Sequence, residues 1–181
     1  MDGKREQIVA GVWQVILEQG IAGVSFRTVA RAADVSVGLI QHYYGSKDLL
    51  IRASAAAMID GSRARYDAVG GSGPEAIHHL VTHAIPVSAR ARDGVVIWHA
   101  YLAASVADDG LGDLLRAAKA GQERALAEHL ADQVGPSHAR QTARILIAVA
   151  DGLSARVITG EITGADALAT ATTATDTLLR R

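Results

Sequence analysis

The chain has 181 residues, 49% of them hydrophobic and 20% charged, with a formal net charge of −1 and no cysteine. That length accommodates one domain or a small one joined to a larger one, and the balance of apolar to charged residues excludes a disordered chain. The absence of cysteine excludes a disulfide framework and thiolate chemistry, and the near-zero charge gives no electrostatic sign of a nucleic-acid partner.

The apolar fraction is dominated by Ala, Val, Leu and Ile, with Phe26 the one phenylalanine and only three prolines to interrupt helices. This composition predicts an all-α fold. The first helix is expected over roughly Lys4 to Gln19, with Ile8, Val12, Val15 and Ile16 on one face at helical spacing. Gln14, Glu18 and Gln19 break that stretch with polar groups, a pattern a secretory signal would not carry. Gly20 is placed to end the helix in the left-handed conformation. Ser25 then caps a second helix whose Phe26, Val29, Ala30 and Ala33 form an apolar stripe. Asp34-Val35 reads as a tight turn, since Asp tolerates left-handed dihedrals. Ser36 caps a third, very short helix ending near Tyr44-Gly45, and Ser46 caps a fourth that continues to about Ala68.

The clearest break in the chain is Gly70-Gly71-Ser72-Gly73-Pro74. Beyond it, helices are expected at about 75–92, 94–107, 111–133, 137–159 and 164–180. Their separators are Asp93-Gly94, Asp108-Asp109-Gly110, Gly135-Pro136 and the stretch from Gly160 to Gly164. The uncharged run from Ile145 to Ala150 is too short to span a bilayer. A cytoplasmic protein with no membrane partner is expected.

Two short helices joined by a tight turn suit a helix-turn-helix. In the third helix Ile40 and Tyr44, at i and i+4, should face the core with Val35, turning Val37, Gly38, Gln41 and His42 outward. A glycine inside so short a helix costs about 1 kcal/mol relative to alanine. Either Gly38 meets the first helix closely, or it lets the helix approach a DNA backbone. The polar outward neighbours favour the second, as does Lys47 at the start of the next helix, where a lysine and free backbone N–H groups make a phosphate site.

Residues 25–50, SFRTVARAADVSVGLIQHYYGSKDLL, resemble the signature of the TetR family of regulators. Val35-Ser36-Val37-Gly38, His42-Tyr43-Tyr44 and Ser46-Lys47-Asp48-Leu49-Leu50 match its pattern in order and spacing. Asp34 stands where the family usually has glycine, and Gln41 where it often has tyrosine, which suggests a base-reading side chain there. The resemblance implies a DNA-binding domain at 1–48 and a helical ligand-sensing and dimerisation domain at 49–181. It implies a repressor released from an inverted-repeat operator in double-stranded DNA by an unidentified small molecule, with no cofactor. Ser25, Tyr43 and Lys47 would meet phosphates, and Ser36 would belong to the same DNA-binding surface. Arg27 would reach a base edge or a phosphate, or remain a solvated charge, and Val37, Gly38, Gln41 and His42 would lie in the major groove. Asp151-Gly152-Leu153 also resembles an element of the BetI-type branch.

In this family the last two long helices of each subunit form the homodimer interface. Residues 145–150, ILIAVA, are apolar on every side, and Leu168, Ala171, Thr172, Thr175, Leu178 and Leu179 make one stripe. Leu146, Val149, Leu153, Leu168 and Leu178 are therefore the expected interface residues. Asp151 is either paired with Arg144 or Arg156, or offers a hydrogen-bonding group to a pocket. Trp98 and Tyr101 would wall that pocket or belong to the core, and Tyr66 sits late in the fourth helix, where sensing could reach the DNA-binding end. Glu75, His79 and His83 share a helix face at i, i+4 and i+8, a spacing that suits a solvated or ligand-facing surface better than a metal lacking a fourth ligand. No phosphate loop, metalloprotease motif or nucleophile elbow occurs, which argues against an enzyme. A helical small-molecule-binding or metabolic protein without an operator is the alternative to a regulator.

Overall fold

The structure is a computed structural model that describes residues 3–69 and 73–180. Gly70, Gly71 and Ser72 of the expected connector lie outside the described residues, as do Met1, Asp2 and Arg181. Among the described residues the regular structure is helical throughout. In chain order the helices are α1 (Gly3–Gln19), α2 (Phe26–Ala32), α3 (Val37–Tyr44), α4 (Lys47–Val69), α5 (Pro74–Thr82), α6 (Ala89–Ala104), α7 (Asp109–Val134), α8 (Pro136–Ile158) and α9 (Gly164–Leu179). A single 3-10 turn, Ile21–Gly23, joins α1 to α2.

The chain divides into two compact units, Met1–Ser62 with Val96–Arg116, and Arg63–Val95 with Ala117–Arg181. The first therefore reaches beyond the boundary expected at residue 48. Leu50, Ile51 and Ala55 of α4 are buried in the same core as Ile97, Tyr101, Leu111 and Leu115, which lie far along the sequence. Helices α4, α6 and α7 each contribute residues to both units.

In the first unit Ile8, Val12, Val15 and Ile16 are buried, as their spacing predicts, together with Val29, Ala30 and Ile40. Helices α1 and α2 touch through small residues: a Cβ at Gly11 would come within 2.7 Å of the Ala33 Cβ, so a larger residue would force the two apart. Gln7 Nε2 donates to the Ala33 carbonyl at 2.7 Å, satisfying an orphan group at the end of α2. Asp34 then turns the chain at φ 49°, the one described non-glycine residue with positive φ. The Asp108 carboxylate accepts Leu111 N–H at 3.0 Å, capping α7, while Arg52 clasps it at 2.6 Å. That guanidinium holds the Asp108 carboxyl below its usual range.

In the second unit α8 packs on α9, and α5 packs on both. Ile77, Leu80, Val81, Leu126, Leu130, Leu146 and Ile147 form its core with Ala139, Ala143, Ala150, Ala167 and Ala171. The small residues allow close helix spacing, and the hydroxyls of Thr170, Thr172, Thr173, Thr175 and Thr177 in α9 each donate to the carbonyl four residues back. One expected separator is misplaced. Asp93-Gly94 lies inside α6, and the actual break is residues 83–88. Pro86 explains it: it has no N–H to donate and disfavours helix at the residue before it, and Ser88 Oγ then accepts Ala91 N–H at 3.2 Å to start α6.

Candidate nucleic-acid interface and effector region

Helices α2 and α3 are short, and capping fixes their starts. Ser25 Oγ accepts Thr28 N–H at 3.1 Å while Ser25 N–H donates to Thr28 Oγ1 at 2.9 Å, a closed capping box. Thr28 was not singled out by sequence, although Ser followed by Thr three residues later is the available signal. Ser36 Oγ accepts Leu39 N–H at 3.2 Å, and Ser46 Oγ accepts Leu49 N–H at 3.2 Å at the start of α4. The Ser25 hydroxyl also lies 3.0 Å from Thr28 Oγ1, whereas the Ser36 and Ser46 hydroxyls, accepting in this way, keep a proton that can be donated to an anion.

The caps set the phase of α3. Ile40 is fully buried, and Val35 and Tyr44 are half-buried against the same core. Val37, Gly38, Gln41 and His42 are all exposed, with Lys47 just beyond and Arg27 exposed on α2. A Cβ at Gly38 would meet nothing within 4 Å, and its φ is not positive. Close packing of Gly38 on the first helix is thus ruled out; that contact belongs to Gly11. A residue that weakens its helix and serves neither packing nor backbone geometry fits a close approach from outside the subunit.

Tyr43 and Tyr44 link α3 to α1. The Arg5 guanidinium lies over the Tyr43 ring, 5.2 Å from its centroid, and the rings of His42, Tyr43 and Tyr44 follow one another at 5.8 and 6.2 Å. Burial raises the Tyr44 pKa, partly opposed by the Arg5 charge. Arg5 is a site residue the sequence did not single out, because nothing in the local pattern ties it to a residue thirty-eight positions later.

The residues expected to form a pocket divide between the units. Tyr101 is fully buried in the first unit's core, and its hydroxyl meets Ser54 Oγ at 2.6 Å. It is a core residue rather than a pocket wall, and burial pushes its pKa up to about 12. Trp98 is half-buried against the same core. Tyr66 and Asp151 belong to the second unit. Asp151 is paired, but with neither expected arginine: Lys119 of α7 lies 2.6 Å away, while Arg144 bonds Glu123 and Arg156 bonds Glu161. Arg144 lies on the same face but two turns away, about 10 Å along the axis, and Arg156 lies about 140° round the helix, so neither reaches Asp151 and its partner comes from another helix.

Around Tyr66 a polar cluster forms. Its hydroxyl meets His129 Nε2 at 2.8 Å, its ring stacks on His79, and His79 stacks on His83 at 5.9 Å. His83 Nδ1 lies 3.2 Å from the Leu80 carbonyl, which can only accept, so the ring carries its proton there and leaves Nε2 as an acceptor. Gln122 Nε2 donates to the same carbonyl at 2.9 Å. Desolvation, followed by nearby positive charge, lowers the pKa of both His79 and His83. Among the described residues, no group of three or more His, Asp or Glu is arranged to hold a metal.

The expected dimer residues also divide. Leu146 and Leu153 point into the second unit's own core and are unavailable to a partner, while Val149, Leu168 and Leu178 are half-buried. An all-round apolar run does not reveal its phase. The structure turns Ile145, Ala148 and Gly152 outward on α8.

A capped short helix presenting an exposed polar row, preceded by a second helix across a tight turn, defines a helix-turn-helix DNA-binding transcriptional regulator. The comparisons place it further. Residues 8–54 match the bacterial regulatory proteins of the tetR family, and residues 74–180 match the C-terminal domain of BetI-type transcriptional repressors. The chain belongs to the TetR family, in its BetI-type branch. It is 30% identical over 158 residues to the HTH-type transcriptional regulator BetI of Stenotrophomonas maltophilia, covering 83% of this chain and 79% of that one. Among solved structures, a transcriptional regulator from Rhodococcus sp. Rha1 superposes with a TM-score of 0.89 at 23% identity, over 97% of this chain and 96% of that one. A transcriptional regulator from Saccharomonospora viridis in complex with choline superposes at 0.84 with 20% identity, over 95% of each. These two structures bear on the fold alone. No described helix is long and apolar enough to cross a membrane.

Proposed function

We propose that the chain acts in the cytoplasm as a homodimeric repressor. It binds an inverted-repeat operator through α3 and releases it when a small molecule occupies the C-terminal region. Exposed Gly38, without internal contact in a helix whose neighbours Val37, Gln41 and His42 face solvent, is the observation that carries this reading. In a symmetric dimer two such helices would enter successive major grooves about 34 Å apart. Ser25, Ser36, Tyr43 and Lys47 would fix the register on phosphates, Arg27 would reach a phosphate or base edge, and Gln41 would read a base. The Ile145, Ala148 and Gly152 face of α8, with the flank of α9 that carries Leu168 and Leu178, is the proposed subunit interface.

The effector is proposed for the second unit, where Tyr66, His79, His83, Lys119, Gln122 and Asp151 provide polar groups. Choline is the molecule in the Saccharomonospora viridis structure. In this chain Lys119 already balances the Asp151 carboxylate, so a bound cation would have to displace that lysine.

The test is a binding titration on a duplex selected by the full chain from a random library. Lys47→Ala should weaken all duplexes by a similar factor and lower the salt slope by about one per subunit. Gln41→Ala should relax discrimination at one base position, worth about 1–3 kcal/mol. Wild-type affinity and selectivity in both variants would move the interface elsewhere.

A further inference from the structure

Positive charge beside α3 extends onto the first turn of α1. Arg5 is exposed there, on a helix separate from the helix-turn-helix, yet its guanidinium lies over the ring of Tyr43. A guanidinium held over an aromatic ring uses its charge there and keeps N–H donors in a planar fork suited to a phosphate. It also borders a groove formed with Val9, Tyr43, Tyr44, Leu49 and Ala53, so α1, α3 and the start of α4 meet at this point. Tyr43 is half-buried, and Arg5 covers one face of its ring, restricting where its hydroxyl can point.

We infer that Arg5 is a phosphate-binding residue that also positions Tyr43, the two engaging the DNA backbone as one unit. This rests on the operator-binding reading above. It accounts for how a chain of near-zero net charge binds a polyanion: Arg5 and Lys47 supply positive charge beside the C-terminal end of α3, next to the exposed Gln41 and His42. Phosphate contacts carry no sequence information, so Arg5 adds affinity and register rather than selectivity.

The experiment uses the full chain and its library-selected duplex, with a scrambled duplex alongside, titrated across salt concentrations. Arg5→Ala should lower the slope of log K against log salt by about 0.9 per subunit, equivalent to a five- to tenfold loss per subunit near 0.1 M salt. The loss should be the same on both duplexes. Arg5→Lys should keep the slope, because the charge remains, but lose part of the affinity, because an ammonium has no planar fork to offer a phosphate from its place over Tyr43. Tyr43→Phe in the Arg5→Ala background should cost less than in wild type, as coupled residues require. A thermal melt separates this from a packing role, which would lower Tm and leave the slope alone. An unchanged slope in Arg5→Ala overturns the inference while Lys47→Ala still tests the interface. Failure of the wild-type chain to bind any duplex overturns both.

Discussion

The two units differ in how they hold functional residues. In the first, side-chain caps and tight turns fix each position: Ser25 and Ser36 start their helices, Asp34 turns the chain between them, and buried Ile40 sets which residues face outward. Loss of either cap should cost about 0.5–2 kcal/mol, and an inserted residue within α3 would rotate the residues beyond it by about 100°. In the second, long helices pack through alanines, leucines and isoleucines, and the polar groups meet across helices distant in sequence. The first unit reads a repetitive polymer of fixed geometry and so needs fixed positions. The second is proposed to admit an effector and a partner subunit, for which shape and volume matter more.

The contrast is tested most severely at the proposed subunit interface. Ile145→Glu with Ala148→Glu places two charges on the outward face of α8 without touching the core. Sedimentation should show a monomer, and operator affinity should fall by about two orders of magnitude or more as the second half-site contact is lost. An intact dimer would mean that the second unit pairs through another face.

A smaller effect is expected inside the first unit's core. Tyr101→Phe removes the bond to Ser54, whose hydroxyl keeps its bond to the Ile51 carbonyl, and should cost about 1 kcal/mol at neutral pH. The folded state favours the neutral phenol, with a pKa of about 12 against an ordinary 10.0. That contribution is complete below pH 10 and is lost as pH rises toward 12, amounting to about 2–3 kcal/mol. Denaturant melts of both proteins should therefore cross, with the Tyr101→Phe variant the more stable at high pH. Parallel curves would place Tyr101 in a wetter setting.

The smallest effect belongs to the second unit's histidines. With the folded pKa of His79 and His83 lowered, neutral rings are favoured, so their contribution is present above the unfolded value of 6.5 and is lost as pH falls below it. The change should stay below about 1 kcal/mol, since both rings keep solvent access. His79→Asn with His83→Asn should flatten the dependence of Tm on pH between 7.5 and 5.5. An unchanged dependence would locate the acid sensitivity elsewhere.

The same contrast decides what could be read without coordinates. The fold class, the caps at Ser25, Ser36 and Ser46 and the outward row of α3 were legible, because each depends on residues within a few positions of one another. Partners across helices were not. Asp151 was expected to pair with Arg144 or Arg156 or to offer a group to a pocket, and it pairs with Lys119, while Arg5 meets Tyr43 from thirty-eight residues away. Phase within apolar runs was also hidden: Leu146 and Leu153 look as suited to an interface as Ile145 and Ala148, and only packing separates them.

Gly38→Ala tests most directly whether α3 is built for a partner outside the subunit, at a cost to its own stability. The added methyl has open space, and alanine favours helix over glycine by about 0.8–1 kcal/mol. Denaturant melts and operator titrations on the same preparation should move in opposite directions, with stability rising by about that amount and affinity falling at least about tenfold, or 1.4 kcal/mol. A variant that gains stability and binds its operator as tightly as wild type would contradict the account.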